Sequence, residues 1–469
     1  MSDPTSNSSE AAQFLPDTIA AVITPPGEGG VSIIRVSGPL AYAIADLCFL
    51  CAPPLPSRRP ENTFVYGHVR SDNEKIDEGV LLMWRSPRSY TCEDVVEFQC
   101  HGGTATATRV LRACLDAGAR AADPGEFTRR AFLNGRIDLL QAEAIMDIVR
   151  AHSARAQAAA QQQLEGGLSR KFDTVYDALM LVAAQIEATL DFPEDELPES
   201  VPQKIRSEIS SIQTQIRELL DTWNEGHLLR DGAMVVLSGK PNVGKSTLLN
   251  ALLGHDRAIV SDIPGTTRDS IEAEFVLDGV PLHLVDTAGL RESEDFVERE
   301  GIHRTRKYIE RADLHLHLID MSQPADAESY DALRALDPRK SILICNKIDL
   351  PQLFHVEQWP EVQRVEMALI QEKGLQKLKK ALKRLLSDSI DLSARPHAVI
   401  SERHRKVLEG VDREIREVAK LIQSDDMEET LVLTIPALRE SLKALGQVTG
   451  REYHEDLLDQ VFSSFCIGK

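Results

Sequence analysis

Gly239-Lys-Pro-Asn-Val-Gly-Lys-Ser246 follows directly on the apolar run Met234-Val-Val-Leu237 and leads into Thr247-Leu-Leu-Asn-Ala251. An apolar strand that ends in Gly-x-x-x-x-Gly-Lys-Ser and enters a helix is the pattern of a phosphate-binding loop. The residue types explain why. Glycines let backbone N–H groups turn toward phosphate oxygens, the following helix offers the positive end of its dipole, and Lys245 adds a point charge. Ser246 stands where a hydroxyl ligates Mg²⁺. A glycine-rich turn with no ligand is the bland alternative, and the motifs downstream argue against it.

Those motifs arrive in the order a GTPase requires. Asp286-Thr287-Ala288-Gly289 follows the apolar run 282–285, which puts a carboxylate beside the metal shell and the Gly289 N–H beside a γ-phosphate. Asn346-Lys347-Ile-Asp349 follows the run 342–345. The Asp349 carboxylate can accept from N1–H and the 2-amino group of guanine, a donor pair that adenine lacks. Between the two, Gly265-Thr266-Thr267-Arg-Asp269 supplies hydroxyls that complete a metal shell only when γ-phosphate is present, as a switch segment does. GTP is therefore the expected substrate.

Two positions depart from the usual GTPase pattern. Met367-Ala368-Leu369 occupies the place of a Ser-Ala base contact, so the Ala368 backbone N–H is the group expected to reach the guanine oxygen. Leu290 stands directly after Gly289, where Ras-type GTPases carry a water-orienting glutamine. Another group or a bound cation must then stabilise the developing charge. The Asn242 side-chain carbonyl suits a monovalent cation, and Glu298, in the acidic segment 291–300, suits polarising water through a bridging molecule.

The 469-residue length demands several cores, which makes the chain a multidomain α/β protein. Its 42% apolar and 27% charged residues fit an ordinary globular composition, and a formal net charge of −20 argues against indiscriminate nucleic-acid binding. RNA contact would need a local patch or a partner. Seven scattered cysteines read as reduced thiols. Cys48-Phe-Leu-Cys51 has redox or zinc spacing, yet no second pair follows, so two incidental thiols are the simpler reading. The first ten residues lack an apolar leader and no apolar run reaches spanning length, from which a cytoplasmic protein with no membrane association is expected.

Local patterns divide the chain. Residues 1–135 alternate short β-branched runs with turn signals and read as an α+β domain, with strands expected at 63–69, 78–83 and 94–100 and a helix at 104–117. Residues 136–229 read as helical: 139–164, a Gly166-Gly167 break, 168–190, and then the stripe Ile205, Ile209, Ile212, Ile216, Leu219, Trp223, which wants a helical partner. Residues 230–387 form the P-loop GTPase domain, with Asp278-Gly279 signalling a hairpin and His315 and His317 reading as sheet histidines. Residues 388–469 are helical again. The P-loop GTPase domain is thus an insertion in a discontinuous helical domain.

Beyond these readings, the chain resembles the MnmE (TrmE) family of tRNA modification GTPases nearly end to end. The matching stretches are Thr24-Pro-Pro-Gly-Glu-Gly-Gly, Pro124-Gly-Glu-Phe, Asn134-Gly-Arg-Ile-Asp-Leu-Leu-Gln-Ala-Glu-Ala, the GTPase motifs, and the terminal Phe465-Cys-Ile-Gly-Lys469. The resemblance implies a homodimer built on an N-terminal domain that binds 5-formyltetrahydrofolate or a related folate, with Arg35, Glu97 and Arg136 at the folate positions. It implies a potassium-dependent G domain in which Asn242, Ser261, Ile263 and Thr266 hold K⁺, and Ser246 and Thr267 hold Mg²⁺. By the same resemblance Val243, Gly244, Lys245, Thr247, Asp262 and Pro264 line the GTP site, Glu298 polarises water, and Cys466 is a functional cysteine. It further implies a heterocomplex with the flavin-dependent partner MnmG that adds a carboxymethylaminomethyl group to C5 of the wobble uridine of certain tRNAs. The competing reading is a GTP-timed ribosome-assembly factor with no chemistry beyond hydrolysis. Such factors carry an RNA-binding module after the G domain, and no basic module of that kind follows residue 387.

Overall fold

A computed structural model describes residues 17–72, 74–191, 200–255, 273–286, 307–354, 361–371, 373–387, 399–423 and 427–469. The chain divides into two units, Met1–Glu143 with Thr449–Lys469, and Ala144–Val448.

The first unit is built on a seven-stranded sheet of β1 (Ile19–Val22), β2 (Val31–Ser37), β3 (Phe49–Cys51), β4 (Thr63–Ser71), β5 (Glu74–Trp84), β6 (Val95–His101) and β7 (Arg120–Ala121), in the order β3-β4-β5-β6-β2-β1-β7. Strand alternation gives the sheet two faces. On the inner face the register aligns Ile34, Phe98, Leu81 and Val65 across four strands, all buried against the helices Ala41–Cys48 and Thr104–Asp116. On the outer face the same register aligns Arg35, Glu97, Leu82 and Phe64, and beside them Ile33, Gln99, Val80 and Tyr66. This face is open: Phe64 is 74% and Tyr66 61% exposed.

The segment Thr449–Lys469 packs in this unit. The reason is apolar burial and backbone pairing. Leu458, Phe462 and Phe465 are buried, the Gly125 N–H donates to the Cys466 carbonyl at 3.4 Å, and the Phe127 N–H donates to the Lys469 carbonyl at 3.2 Å. The Cys48 thiol faces Cys114 and the Ala113 carbonyl rather than Cys51, as expected of an incidental thiol, and the Cys114 hydrogen bond lowers its pKa against burial.

The second unit holds a six-stranded sheet of β8 (Ala233–Ser238), β9 (Ala273–Leu277), β10 (Val280–Asp286), β11 (Leu314–Asp320), β12 (Ser341–Asn346) and β13 (Gln363–Glu366), in the order β13-β12-β11-β8-β10-β9. Every neighbouring pair is parallel except β9 with β10. Asp278 and Gly279, both at positive φ (49° and 85°), make that one hairpin as a type I′ turn does. The central parallel strands β8, β11 and β12 are almost wholly buried, β12 with all six residues inside, while the edge strand β13 is largely exposed.

Helices flank this sheet in sequence on both sides, confirming a P-loop domain inserted in a discontinuous helical domain. Ile205, Ile209, Ile212, Ile216 and Leu219 are buried along the helix Ser200–Asp221, which packs on Gly167–Asp191 and on Glu402–Leu421. Trp223, expected on the same stripe, begins the separate helix Trp223–Arg230, where it stacks on His227 and lies under Arg405. The expected helix 139–164 is likewise two helices, Leu139–Arg150 and Ala154–Leu164, because Ser153 caps the second by accepting from the Ala156 N–H at 3.1 Å. No described helix is long and apolar enough to cross a membrane.

Candidate nucleotide site and an arginine cluster

The phosphate loop leaves β8, whose neighbours are β10 on one side and β11 on the other. The carboxyl end of a strand at such a switch of winding is where open parallel sheets bind ligands. Backbone geometry then selects the residues. Gly239 has φ 138°, and a Cβ there would lie 2.4 Å from the Leu318 carbonyl on β11. Gly244 has φ 107°, and its Cβ would lie 2.5 Å from Asn346 Nδ2. Asn242 adopts φ 60°, a left-handed conformation that asparagine tolerates. These turns place the loop at the start of the helix Lys245–His255.

Lys245 is 6% exposed and donates from Nζ to the carbonyls of Gly239 and Lys240, both at 2.9 Å. Its ammonium is thereby fixed over the loop. Ser246 and Thr247 are exposed in the first helical turn, as a metal-ligating hydroxyl must be, and Val243 is buried beneath. Behind the loop, Ser238 Oγ lies 2.7 Å from both His315 Nε2 and His317 Nδ1, a buried network the sequence reading left as plain sheet histidines. Burial first, then the neighbouring His317 and Lys340 charges, pushes His315 down to about 3. Burial and then Lys245 push His317 down to about 4. Both rings are neutral at pH 7, so no extra cation competes with Lys245.

The Asn-Lys-Ile-Asp segment divides its labour. Asn346, 3% exposed, donates from Nδ2 to the Val243 carbonyl at 2.8 Å and accepts at Oδ1 from the Leu369 N–H at 3.3 Å. It thus ties the phosphate loop to the base-side loop. Lys347, at φ 62°, donates to Asp320 at 2.6 Å. Burial works to raise the Asp320 carboxyl, but the Lys347 and Ser322 hydrogen bonds outweigh it and hold the group below its ordinary value. Asp349 is exposed at the end of this brace, available to a base. The Ala368 N–H, expected to face a guanine oxygen, is instead donated to the Lys373 carbonyl at 3.1 Å, because Ala368 and Lys373 form an antiparallel bridge.

Ser261, Asp262, Ile263, Pro264, Gly265, Thr266, Thr267, Thr287, Ala288, Gly289, Leu290 and Glu298 lie outside the described residues, as does the side chain of Asp286.

In the first unit the three positions expected for folate converge. Arg35 on β2 and Glu97 on β6 are opposite one another in register and joined by a 2.8 Å ion pair, with side chains 15% and 11% exposed. The Arg35 guanidinium lies 5.0 Å from the Tyr90 ring and 5.4 Å from that of Phe127. Arg136 approaches the same tyrosine, 4.8 Å from its ring and donating to its carbonyl at 2.7 Å. Tyr90 Oη is itself 2.9 Å from Thr128 Oγ1. Tyr90 was not singled out by sequence; a lone tyrosine in the loop Ser86-Pro-Arg-Ser-Tyr90 carries no periodic or motif signal. Two cations, a carboxylate and an aromatic ring suit a flat heterocycle bearing carboxylates, so the cluster fits a folate. Phe127 also links the cluster to the tail, since its N–H donates to Lys469. Cys466 is exposed in that tail.

A strand-loop-helix phosphate site at a sheet switch point, followed by Asn-Lys-Ile-Asp at the end of β12, defines a P-loop GTPase. The profile of the MnmE helical domain matches residues 139–466, and that of the GTP-binding protein TrmE N-terminus matches residues 18–136. The chain is 43% identical to the tRNA modification GTPase MnmE of Heliobacterium modesticaldum over 469 residues, covering 97% of this chain and 99% of the relative. It is 42% identical to that of Geobacter sulfurreducens over 466 residues, covering 97% and 100%. The chain belongs to the MnmE family of tRNA modification GTPases. Among solved structures it is similar to the G domain of the T. maritima FeoB iron transporter, at 25% identity over 33% of this chain and 98% of that one, with a TM-score of 0.25. It is also similar to Aquifex aeolicus Era, at 22% identity over 42% and 69%, with a TM-score of 0.26. The fold assignment rests on the strand order rather than on these scores.

Proposed function

We propose that the protein is a potassium-dependent GTPase that acts on tRNA with a flavin-dependent partner, MnmG, to add a carboxymethylaminomethyl group to C5 of the wobble uridine. Family membership supports the tRNA substrate. The observation that carries the one-carbon part is the convergence of Arg35, Glu97 and Arg136 on Tyr90. A folate held there would supply a one-carbon unit, while Arg35 and Arg136 would hold its carboxylates and Tyr90 its ring. The backbone link from Phe127 to Lys469 keeps the tail bearing Cys466 on the same helix.

The open outer face of the first sheet supports a homodimer. Its rows carry Phe64 and Tyr66 alongside the Arg35–Glu97 pair, so a second copy seated there would cover apolar surface and close the cluster from solvent. In the G domain, Ser246 with Thr267 would hold Mg²⁺, Asn242 with Ser261, Ile263 and Thr266 would hold K⁺, and Glu298 would polarise water in place of the glutamine that Leu290 replaces. A resident K⁺ there would add positive charge beside the phosphates.

The test is nucleoside analysis of tRNA from cells lacking this protein, complemented by the native chain or by Cys466→Ser. Loss of the C5 modification that only the native chain restores is expected. Unchanged wobble uridine in the deletion would overturn the reading, and full restoration by Cys466→Ser would remove the cysteine from it.

A further inference from the structure

The last helix of the G domain, Leu375–Ser387, reads Leu-Gln-Lys-Leu-Lys-Lys-Ala-Leu-Lys-Arg-Leu-Leu-Ser, with five basic residues and no acid. No other described helix combines that many cations with no acid, and the chain as a whole carries a net charge of −20. Helical periodicity sorts the two kinds of residue. Leu375, Leu378, Leu382 and Leu386 recur at a spacing of three and four and are all buried in the main core of the G domain. Lys377, Lys380 and Arg384 recur at the same spacing on the opposite side and are exposed. They span about 10 Å along the helix axis. Lys383 is engaged by Asp278 at 2.8 Å and Lys379 has an interaction of its own, but Lys377, Lys380 and Arg384 form no ion pair among the described residues. The buried leucines anchor the helix, so the three cations make a fixed strip. Like charges three and four residues apart repel, and the strip destabilises its own helix until something anionic covers it.

We propose that this strip is a docking surface for the phosphate backbone of tRNA. The inference deepens the tRNA reading above and rests on it. Three observations favour RNA phosphate as the occupant. Counterion release rewards a polyanion wherever Lys and Arg cluster, and a chain this acidic can hold one only where cations are gathered locally. The exposed residues of the helix are the cations and Gln376, with no exposed apolar or aromatic side chain, whereas the core of a protein interface is apolar and depleted in lysine. The apolar face of the helix is already buried against the sheet, so none is left to enter a membrane as an interfacial helix does. Cations without a stacking ring hold phosphates and do not read bases, which suits a tRNA stem gripped by its backbone. The helix also follows the base-side loop directly through Gly374, whose φ of 99° makes the turn. A tRNA seated on the strip would therefore lie beside the loop that Asn346 ties to the phosphate loop.

The experiment is fluorescence anisotropy of a labelled full-length tRNA titrated with the full chain at several salt concentrations. The strip variant combines Lys377→Gln, Lys380→Gln and Arg384→Gln, and a charge-keeping variant combines Lys377→Arg, Lys380→Arg and Arg384→Lys. A scattered variant with Lys75→Gln, Lys171→Gln and Lys443→Gln removes the same charge from three exposed positions elsewhere. The strip variant should bind at least about tenfold more weakly and lower the slope of log affinity against log salt by about 2 to 3, the share of three phosphates. The charge-keeping and scattered variants should bind like the native chain. Basal GTP turnover should be unchanged in all of them, which separates lost contact from lost fold. Native-like affinity and salt slope in the strip variant would overturn the proposal. An equal loss in the scattered variant would overturn it too, by reducing the effect to net charge. Binding of the native chain to phosphatidylserine vesicles that the strip variant loses, with tRNA affinity preserved, would give the face to a membrane surface instead. Failure of the native chain to bind tRNA even at low salt would remove this surface, while the tRNA reading is decided separately by the nucleoside analysis above.

Discussion

The phosphate loop and the Arg35 cluster solve the same problem, holding an anionic ligand, by opposite means. The loop is contiguous: eight residues whose backbone conformations bring N–H groups and one lysine to a point, with Gly239 and Gly244 at φ values that side chains resist. The cluster is assembled from positions 35, 90, 97 and 136, and its geometry exists only because β2 pairs with β6 and a loop carries Tyr90 between two guanidiniums. One site is made by backbone and fails when a Cβ is added. The other is made by side chains and fails when one is removed.

The largest effect should come from adding atoms to the loop. Gly244→Val would place carbon 2.5 Å from Asn346 Nδ2, break the bond from Asn346 to the Val243 carbonyl, and force a β-branched residue to φ 107°. GTP affinity should fall by at least about a hundredfold, the equivalent of about 2.8 kcal/mol. Equilibrium binding of a fluorescent guanine nucleotide measures this, and native affinity would show that the loop accommodates a Cβ by moving Asn346.

Next is an acid sensitivity of the G domain. His315 and His317 are held near 3 and 4 by burial against an ordinary value of 6.5. The unfolded chain therefore binds more protons than the folded one below pH 6.5, and stability falls as pH drops from about 6.5 toward 4. The combined loss amounts to several kcal/mol. Urea midpoints followed through bound nucleotide should decline over that window, and His317→Gln should flatten the decline. An unchanged slope would place the acid sensitivity elsewhere.

These two regions also mark what sequence could reveal. The phosphate loop, the Asp278-Gly279 hairpin and the isoleucine stripe of the helix Ser200–Asp221 were legible because each is a local pattern whose spacing equals its geometry. The break at Ser153 was not, since the Ala- and Gln-rich run 154–164 continues a helical composition and only one capping hydroxyl marks the new start. Tyr90 and the Cys48–Cys114 contact were invisible because their partners come from distant strands and helices. Asn346 was placed at the base but not recognised as a brace, a role that needs Val243 and Leu369 in view. The C-terminal tail joined the first unit through backbone hydrogen bonds that leave no trace in residue type.

Removing a side chain from the assembled cluster should cost about as much as adding one to the loop, but should damage a different function. Arg35→Ala strips the partner from Glu97, whose side chain is 11% exposed, and removes the cation beside Tyr90 and Phe127. Breaking a largely buried pair in this way costs about 3 kcal/mol. The thermal midpoint of the first unit should fall and folate retention should be lost, with guanine-nucleotide affinity unchanged. Arg35→Ala with Glu97→Leu should recover much of the midpoint without recovering folate, because it removes the orphaned charge and not the ligand's partner. Recovery of folate by the double variant would mean that the cluster is structural.

The smallest effect is expected inside the loop itself. Lys240 forms an ion pair with Asp326, which caps the helix Ala327–Arg334 and is held below its ordinary pKa first by that lysine and then by Ser329. Both side chains are half exposed, so solvent and salt screen the pair, and the cap survives through the Ser329 N–H at 2.9 Å. Lys240→Ala should therefore leave the urea midpoint unchanged. Nucleotide affinity should also hold, because Lys245 accepts its support from the Lys240 carbonyl and not from its side chain. A measurable drop in affinity would show that this loop, too, depends on a side chain gathered from elsewhere in the chain, and the division between a backbone-made and a side-chain-made site would lose its sharpness.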